Sequence, residues 1–166
     1  MMPTNWTEAN NQYRGFDGAI HDAGDARYYT DFSLWDTFRT EHPLLFLIEP
    51  EKSGDMMQSL VRMTEQGPGV PMWPMGDGYT GCMIGSSAHV TFAEAYLKGI
   101  TGWDDETAYD ACRDQAINPS APRHRDDLAV YLDKGYIPVE ESQRGVSTAL
   151  EFYYDDAALS WWADAK

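Results

Sequence analysis

The segment YYTDFSLWDTFRTEHPL, from Tyr28 to Leu44, interleaves aromatic side chains with carboxylates and one arginine. Its larger apolar residues recur at spacings of three and four, the period of a helix that buries one face. The pattern predicts a helix that begins near Asp31, with that residue as its N-cap. The helix is expected to end or kink at Pro43, because proline restricts the backbone of the residue before it. Packing explains the rings, but it does not explain the Asp36 and Arg39 side chains between them.

The length, composition and net charge limit the number of domains and the kinds of ligand that are expected. A chain of 166 residues suits one domain or a piece of a larger one, and 43% hydrophobic with 13% aromatic residues can form a core. The net charge of -15 argues against nucleic acid and against anionic membrane surfaces as partners, since both need clustered Lys and Arg. A neutral, hydroxyl-rich ligand such as a sugar is compatible with this charge, and so is a cation.

The cysteines and the apolar runs bear on the compartment. Cys82 and Cys112 are too few for a disulfide framework, and both a single pair and two free thiols stay open, with free thiols favoured. No apolar run reaches the roughly 18 to 20 residues of a membrane span. The stretch MMPTNWTEANNQ at the start lacks the basic and apolar regions of a signal peptide, so none is expected, and the localisation stays undetermined.

The rest of the chain is predicted to consist of helices joined by long loops. Residues 1–28 and 67–81 are rich in Gly, Pro or polar residues and are predicted to be irregular. Helices are predicted over residues 50–66, 86–99, 104–116, 126–133 and 146–165. The last has the most regular apolar face, which comprises Val146, Ala149, Leu150, Tyr153, Tyr154, Ala157, Ala158, Trp161 and Trp162. No segment alternates with a period of two, so few strands are expected and the predicted class is all-α.

Five segments, in this order, resemble those of the glycoside hydrolase family 92 mannosidases. They are YRGFDGAIH, YTDFSLWDTFRTEHPL, PMWPMGDGYTGCMIG, AEAYLKGI and LEFYYDD. The Trp-Asp pair alone is a weak signal, because other six-hairpin glycosidases also carry one. The ordered set is specific, and it spans the chain from Tyr13 to Asp156.

The resemblance implies a fold and a chemistry. The family's catalytic domain is a ring of six helical hairpins, an (α/α)6 barrel. Its members are exo-acting α-mannosidases that invert the anomeric centre and need Ca²⁺, which binds the mannose hydroxyls and helps to distort the ring. The substrate class is terminal α-linked mannose of N-glycans or mannan, with the α-1,2 type favoured. Parent enzymes of the family are typically secreted or periplasmic.

The resemblance also implies that parts of the enzyme lie outside this chain. In the family, the acid, the base and the main Ca²⁺ ligands follow the YYDD segment, and a β-sandwich domain precedes the barrel. Residues 1–166 are therefore expected to be a fragment of the catalytic domain, with the β-sandwich and the C-terminal part of the barrel absent. No catalytic residue and no metal ligand is expected here, and the chain alone is expected to be inactive or nearly so.

The expected substrate-binding residues are Trp35, Asp36, Arg39, Trp73 and Asp155. The family match favours sugar contact by Asp36, since a carboxylate accepts two hydroxyl hydrogen bonds and an aromatic ring stacks on sugar C–H faces. From the residues alone, Trp35 in the core and an Asp36–Arg39 pair are favoured instead. Trp73 is either a sugar platform or a loop anchor.

Other candidates are weaker. Asp77 and Tyr79 are minor candidates, and any contact from Ser86 or Ser87 is doubtful. Asp155 and Asp156 point about 100° apart on a helix, so only one can line a cavity. The spacing of His21, His42, His89 and His124 suggests no metal site.

Two other functions stay open. One is a helical scaffold or sugar-binding module without catalysis, and the other is a six-hairpin glycosidase that acts on glucosides. Adjacent Trp161 and Trp162 are expected to be exposed near the end of the last helix, where an apolar patch permits self-association.

Overall fold

The computed structural model describes residues 2–121 and 125–166. Within them the helices are α1 Leu34–Thr37, α2 Glu41–Ile48, α3 Pro50–Gln66, α4 Ser87–Leu97, α5 Asp105–Ile117, α6 Leu128–Lys134 and α7 Gly145–Ala165. The strands are β1 Thr4–Asn5, β2 Gln12–Arg14, β3 Ile20–Asp22, β4 Tyr29–Thr30, β5 Pro74–Met75 and β6 Gly78–Tyr79. They form three antiparallel pairs, β1–β4, β2–β3 and β5–β6. The predicted helical class with few short strands is confirmed.

The predicted helix from Asp31 is wrong in its bounds. Helix α1 is a single turn that begins after Ser33, and Asp31 lies outside it with a left-handed φ of 61°. Pro43 does not end a helix but lies in the first turn of α2. Proline is tolerated there because the first N–H groups of a helix have no acceptor within the helix.

Helix α3 packs in the core and is hydrogen-bonded to the segment before α1. Pro50 occupies its first turn, and its inner face buries Met57, Leu60 and Met63 completely. The Ser59 hydroxyl accepts a hydrogen bond from the backbone N–H of Tyr29 at 2.9 Å. Strand β4, which leads into α1, is therefore attached directly to the core helix.

Helices α4 and α5 have the ends that the sequence predicts. Gly99 adopts φ 72° just after α4, which explains the glycine at that position. Asp104 caps α5, since its carboxylate accepts the Thr107 backbone N–H at 3.0 Å. Helix α6 lies within two residues of its predicted range. Among the described helices, none has both the length and the apolar character that a membrane span requires.

Helix α7 packs along α4, and its buried face differs from the predicted one. Its fully buried residues include Phe152, Asp155 and Trp162. Trp162 has 0% exposure and lies in an aromatic cluster with Phe92, Tyr96, Trp103 and Tyr109. The exposed side carries Val146, Leu150, Tyr153, Tyr154 and Trp161. The predicted stripe was therefore wrong for those five, and the prediction that Trp162 is exposed was wrong as well.

Candidate functional site

Ser33 and Asp36, at the start of α1 and within it, form a polar cluster with Trp73 at the protein surface. The Ser33 hydroxyl donates a hydrogen bond to the Asp36 carboxylate and accepts one from Trp73 Nε1 at 2.8 Å. Ser33 is buried, Trp73 is half-buried and Asp36 is exposed. The single hydroxyl therefore fixes the orientation of both an indole and a carboxylate, and it leaves the carboxylate open to solvent. We refer to Ser33, Asp36 and Trp73 as the α1 cluster.

The backbone before α1 holds the loop that carries Trp73. The Asp31 carboxylate accepts the Gly76 N–H at 3.1 Å, and the Thr30 hydroxyl donates to the Gly76 carbonyl at 2.7 Å. Gly76 has φ 57° in the turn between β5 and β6, a conformation that favours glycine. Asp31 is thus a loop anchor and not the predicted helix cap.

Trp35 and Arg39 lie on α1 and just after it, and they contact each other. The guanidinium carbon of Arg39 lies 4.4 Å from the centre of the Trp35 ring and 4.5 Å from that of Phe38. Within residues 2–121 and 125–166, no ion pair joins Arg39 to Asp36, so the alternative of an Asp36–Arg39 pair is wrong for the described structure. Arg39 covers one face of the Trp35 indole, and that face is closed to a stacking ligand in this conformation.

The two weaker loop candidates are already engaged. The Asp77 carboxylate pairs with Arg14 Nε at 3.0 Å on the surface. The Tyr79 hydroxyl donates to the Gly69 carbonyl, which fixes the β5–β6 hairpin against the preceding loop. Neither contact reaches the α1 cluster.

Asp155 is a buried carboxylate, 1% exposed, in the middle of α7. One oxygen accepts the Ser86 backbone N–H at 2.7 Å, at the start of α4. No hydrogen-bond partner among the described residues reaches the other oxygen. Burial raises the pKa of Asp155 to about 7, and the Arg125 guanidinium opposes this rise. Asp155 does not line the cavity of about 250 Å³ that lies beside it.

Arg125 forms a hydrogen-bond network around Asp155 that the sequence did not predict. Its guanidinium bonds Asp156 at 2.5 Å, Ser86 Oγ at 3.3 Å and His89 Nδ1 at 3.1 Å. Its side chain is 1% exposed. Burial, together with Arg125, holds the pKa of His89 well below its usual range, so His89 is neutral. We refer to Ser86, His89, Arg125, Asp155 and Asp156 as the α7 network. A single arginine in a predicted loop carries no pattern from which this role could be read.

A cavity of about 250 Å³ lies beside the α7 network. Its lining includes Ser86, Arg125, Thr148 and Phe152 together with methionines of the loop before α4. The Arg125 guanidinium is hydrogen-bonded to other side chains of the protein, so it lines the cavity without offering an unpaired charge to a ligand. Gln115 and Asp126 also line the cavity, so its wall combines polar and apolar groups.

The histidines and cysteines that the structure describes do not assemble a metal site. Among the described residues, no three His, Cys, Asp or Glu side chains converge as metal ligands would. His42 lies between Phe32 and Phe46, and its burial lowers its pKa to about 4. Cys82 is exposed and Cys112 buried, and both are free thiols. His124 lies outside the described residues. The side chains that the structure describes do not fit a calcium site.

Comparisons with known proteins point to one family. The family model described as Glycosyl hydrolase family 92 catalytic domain matches residues 1–166. A family GH92 α-mannosidase from Bacteroides thetaiotaomicron, solved in complex with mannoimidazole, is 32% identical to this chain, with a TM-score of 0.91. A family GH92 inverting mannosidase from Bacteroides thetaiotaomicron VPI-5482 is 31% identical, with a TM-score of 0.86.

These matches cover nearly all of this chain but only a small part of each relative. Each covers 99% of this chain, but 21% of the first relative's chain and 23% of the second's. This chain thus spans about a fifth of the length of the solved relatives it matches. No curated protein sequence matches it.

Proposed function

The chain belongs to glycoside hydrolase family 92, and we propose that it forms part of the helical catalytic domain of an α-mannosidase. In this proposal, the chain supplies a wall of an (α/α)6 barrel and part of the mannose subsite. The parent enzyme releases terminal α-linked mannose from N-glycans or mannan, with an α-1,2 preference and with inversion.

The observation that carries this proposal is the geometry of the α1 cluster. Asp36 is exposed, and its carboxylate is oriented by the Ser33 hydroxyl. An ionised carboxylate accepts several hydrogen bonds, and Ser33 uses part of that capacity. Two neighbouring hydroxyls of a pyranose are matched donors for the remainder. The net charge of -15 favours a neutral ligand of this kind over an anionic one.

Trp73 supports the same ligand class. Its indole N–H is taken by Ser33, so the ring is held in one orientation beside Asp36. A fixed aromatic ring next to a hydroxyl-binding carboxylate suits a sugar, whose C–H faces are apolar and whose rim is polar. Trp35 and Arg39 border the cluster, and we propose that they shape its edge.

The chemistry of bond cleavage is not assigned to residues of this chain. Inversion requires a carboxylic acid and a carboxylate roughly 6.5 to 9.5 Å apart across the scissile bond. Asp155 is buried against Ser86, and Asp156 is bonded to Arg125 and Tyr131. We therefore propose that the acid, the base and the Ca²⁺ ligands belong to other parts of the parent enzyme.

The binding proposal is tested by titrating the chain with methyl α-mannoside and following backbone amide shifts by NMR. We expect shifts at Asp36 and at the Trp73 indole, with binding in the millimolar range. Asp36→Asn should weaken binding at least tenfold, because a carboxylate accepts more hydrogen bonds than an amide. Asp110→Asn, which changes an exposed carboxylate on α5, is the matched control. Equal binding by the Asp36→Asn variant would contradict the proposal.

The catalytic part of the proposal has its own test. We expect no mannose release from α-1,2-mannobiose by this chain. Turnover that Asp36→Ala abolishes would show that the chain carries its own acid and base, and that part of the proposal would fail.

Two alternatives need further measurements. A sugar-binding module also binds mannose without turnover, so it is distinguished in the longer parent protein, where Asp36→Asn should lower mannose release if the chain is part of the catalytic domain and leave it unchanged if the chain is a separate module. Competition by glucose that equals competition by mannose would favour a glucoside-acting relative.

A further inference from the structure

A second concave surface lies at the N-terminal end of the described chain. Its volume is about 660 Å³, within the range of small-molecule sites. Residues that line it include Trp6, Asn10, Gln12, Arg14 and Asp77. No residue of the α1 cluster lines it. We call it the Trp6 cleft.

The floor of the Trp6 cleft is rigid because of the β2–β3 hairpin. Gln12 and Arg14 point outwards, and Tyr13 between them points inwards with 3% exposure. The Tyr13 ring stacks on Tyr28 at a centroid distance of 3.9 Å and on His21 at 5.4 Å. Successive side chains of a strand point to opposite faces. Because the inward side chain of Tyr13 is packed in the core, the outward side chains of β2 are held at fixed positions.

The polar groups of the Trp6 cleft are held in place by one another. Asn10 Nδ2 donates to Gln12 Oε1 at 2.8 Å, and the Gln12 backbone N–H donates to Asn10 Oδ1 at 3.2 Å. Arg14 Nε pairs with Asp77 at 3.0 Å, which leaves its other N–H donors directed elsewhere. Donors and acceptors are thus oriented before any ligand arrives, which lowers the entropic cost of binding.

Trp6 supplies the aromatic part of the Trp6 cleft. Its side chain is 41% exposed, although its backbone N–H is bonded to the Tyr28 carbonyl at 2.7 Å. An anchored backbone with an exposed indole is an open stacking surface. The charged groups of the cleft are Arg14, Asp77 and Glu8, which sum to -1 and do not favour an anion.

We propose that the Trp6 cleft is a second saccharide site, in which a pyranose stacks on Trp6 and bonds the Asn10, Gln12 and Arg14 side chains. The combination of one exposed ring, paired amides and a neutralised guanidinium matches a neutral polyhydroxyl ligand. The inference takes its ligand class from the proposed function, but it uses none of the residues of the α1 cluster. Such a site lets the protein hold a glycan at a point separate from the mannose subsite.

The test uses α-1,2-mannobiose and the whole chain, with NMR detection of indole N–H signals. The chain has six tryptophans, so Trp6 is assigned from the signal that disappears in Trp6→Ala. We expect mannobiose to shift the Trp6 signal, to the same extent in Asp36→Asn as in the unaltered chain. We expect Trp6→Ala to weaken this binding at least tenfold, as followed by the Asn10 and Gln12 side-chain amide signals, and to leave the shifts at Asp36 unchanged. Trp161→Ala, another exposed tryptophan, is the matched control.

The outcomes separate the two sites. A Trp6 signal that stays fixed at saturating mannobiose in the unaltered chain overturns the Trp6 cleft, and this measurement needs no variant to fold. A shift at Trp6 with none at Asp36 supports the cleft and contradicts the mannose subsite. A shift at Trp6 that cellobiose reproduces supports a general saccharide site, whereas loss of the shift in Asp36→Asn overturns a separate one.

Discussion

The α1 cluster and the α7 network each centre on an aspartate, but they place it in opposite surroundings. Asp36 is exposed and receives one side-chain hydroxyl, whereas Asp155 is buried and receives a backbone N–H. The first carboxylate keeps capacity for an external ligand. The second binds α7 to the start of α4. The same residue type thus keeps free hydrogen-bonding capacity in one region and joins two helices in the other, and burial decides which.

The largest effect is expected from Arg125→Ala in the α7 network. This change removes a buried guanidinium and its bonds to Asp156, Ser86 and His89. We expect the free energy of unfolding to fall by about 3–5 kcal/mol, as measured by urea denaturation. Arg39→Ala at the exposed α1 region is the control, with an expected loss of about 0.5–1 kcal/mol. Similar losses from both changes would break the contrast between the two regions.

The next effect is a pH dependence that belongs to Asp155. Its folded pKa of about 7 lies above the ordinary value of 3.8, so its contribution to stability is fully present at low pH. That contribution is lost as the pH rises through the window from 4 to 7, at up to about 1.4 kcal/mol per pH unit. Asp155→Asn removes this loss while the amide oxygen can still accept from Ser86.

The measurement for Asp155 is the difference in free energy of unfolding between Asp155→Asn and the unaltered chain at several pH values. We expect this difference to shift in favour of the variant from pH 4 to 7 and to level off above. The lowered pKa values of His42 and His89 act in the opposite direction, but they are present in both proteins and cancel. A difference that is independent of pH would mean that Asp155 ionises as an exposed carboxylate does.

A smaller effect is expected from Ser33→Ala in the α1 cluster. The change removes the hydroxyl that orients both Asp36 and Trp73. We expect up to tenfold weaker binding of methyl α-mannoside by NMR, with a loss of about 1 kcal/mol in the free energy of unfolding. Asp155→Asn should leave the same binding unchanged. Equal weakening by the two changes would show that the two regions are coupled and not distinct.

The smallest effect on stability is expected from Trp161→Ser on the exposed side of α7. We propose that this side, which also carries Leu150 and Tyr154, permits self-association of the chain. Trp161→Ser should reduce the dimer fraction in sedimentation velocity and change the free energy of unfolding by less than about 0.5 kcal/mol. An unaltered chain that stays monomeric at all concentrations would contradict self-association.

The sequence was sufficient for the long elements and insufficient for the short ones. Helices α3, α5 and α7 were predicted closely because all three have a sustained helical period. In addition, α3 begins with Pro50 and α5 with the capping Asp104. The bounds of α1 and α2 were not, because two rules compete at Pro43. Proline is expected to end a helix, but it is equally compatible with the first turn of a new one.

The buried face of α7 shows a different limit. Its apolar residues occupy two adjacent stripes, and helical spacing alone does not say which stripe faces the core. Trp161 and Trp162 are next to each other in sequence, yet their exposed fractions are 59% and 0%. The roles of Arg125 and Asp155 were beyond the sequence for a related reason. Both depend on contacts between segments that are more than 30 residues apart.

The paired tryptophans of α7 also give the protein two built-in optical reporters one residue apart. Trp162 is enclosed by four other aromatic rings, so its fluorescence should be shifted to short wavelength and transferred among its neighbours. Trp161 is in contact with water and is open to a dissolved quencher such as iodide. Trp6 is also exposed, so the part of the quenching that Trp161→Ser abolishes reports what covers the surface of α7. The short-wavelength emission of Trp162 reports whether the core beneath it is intact.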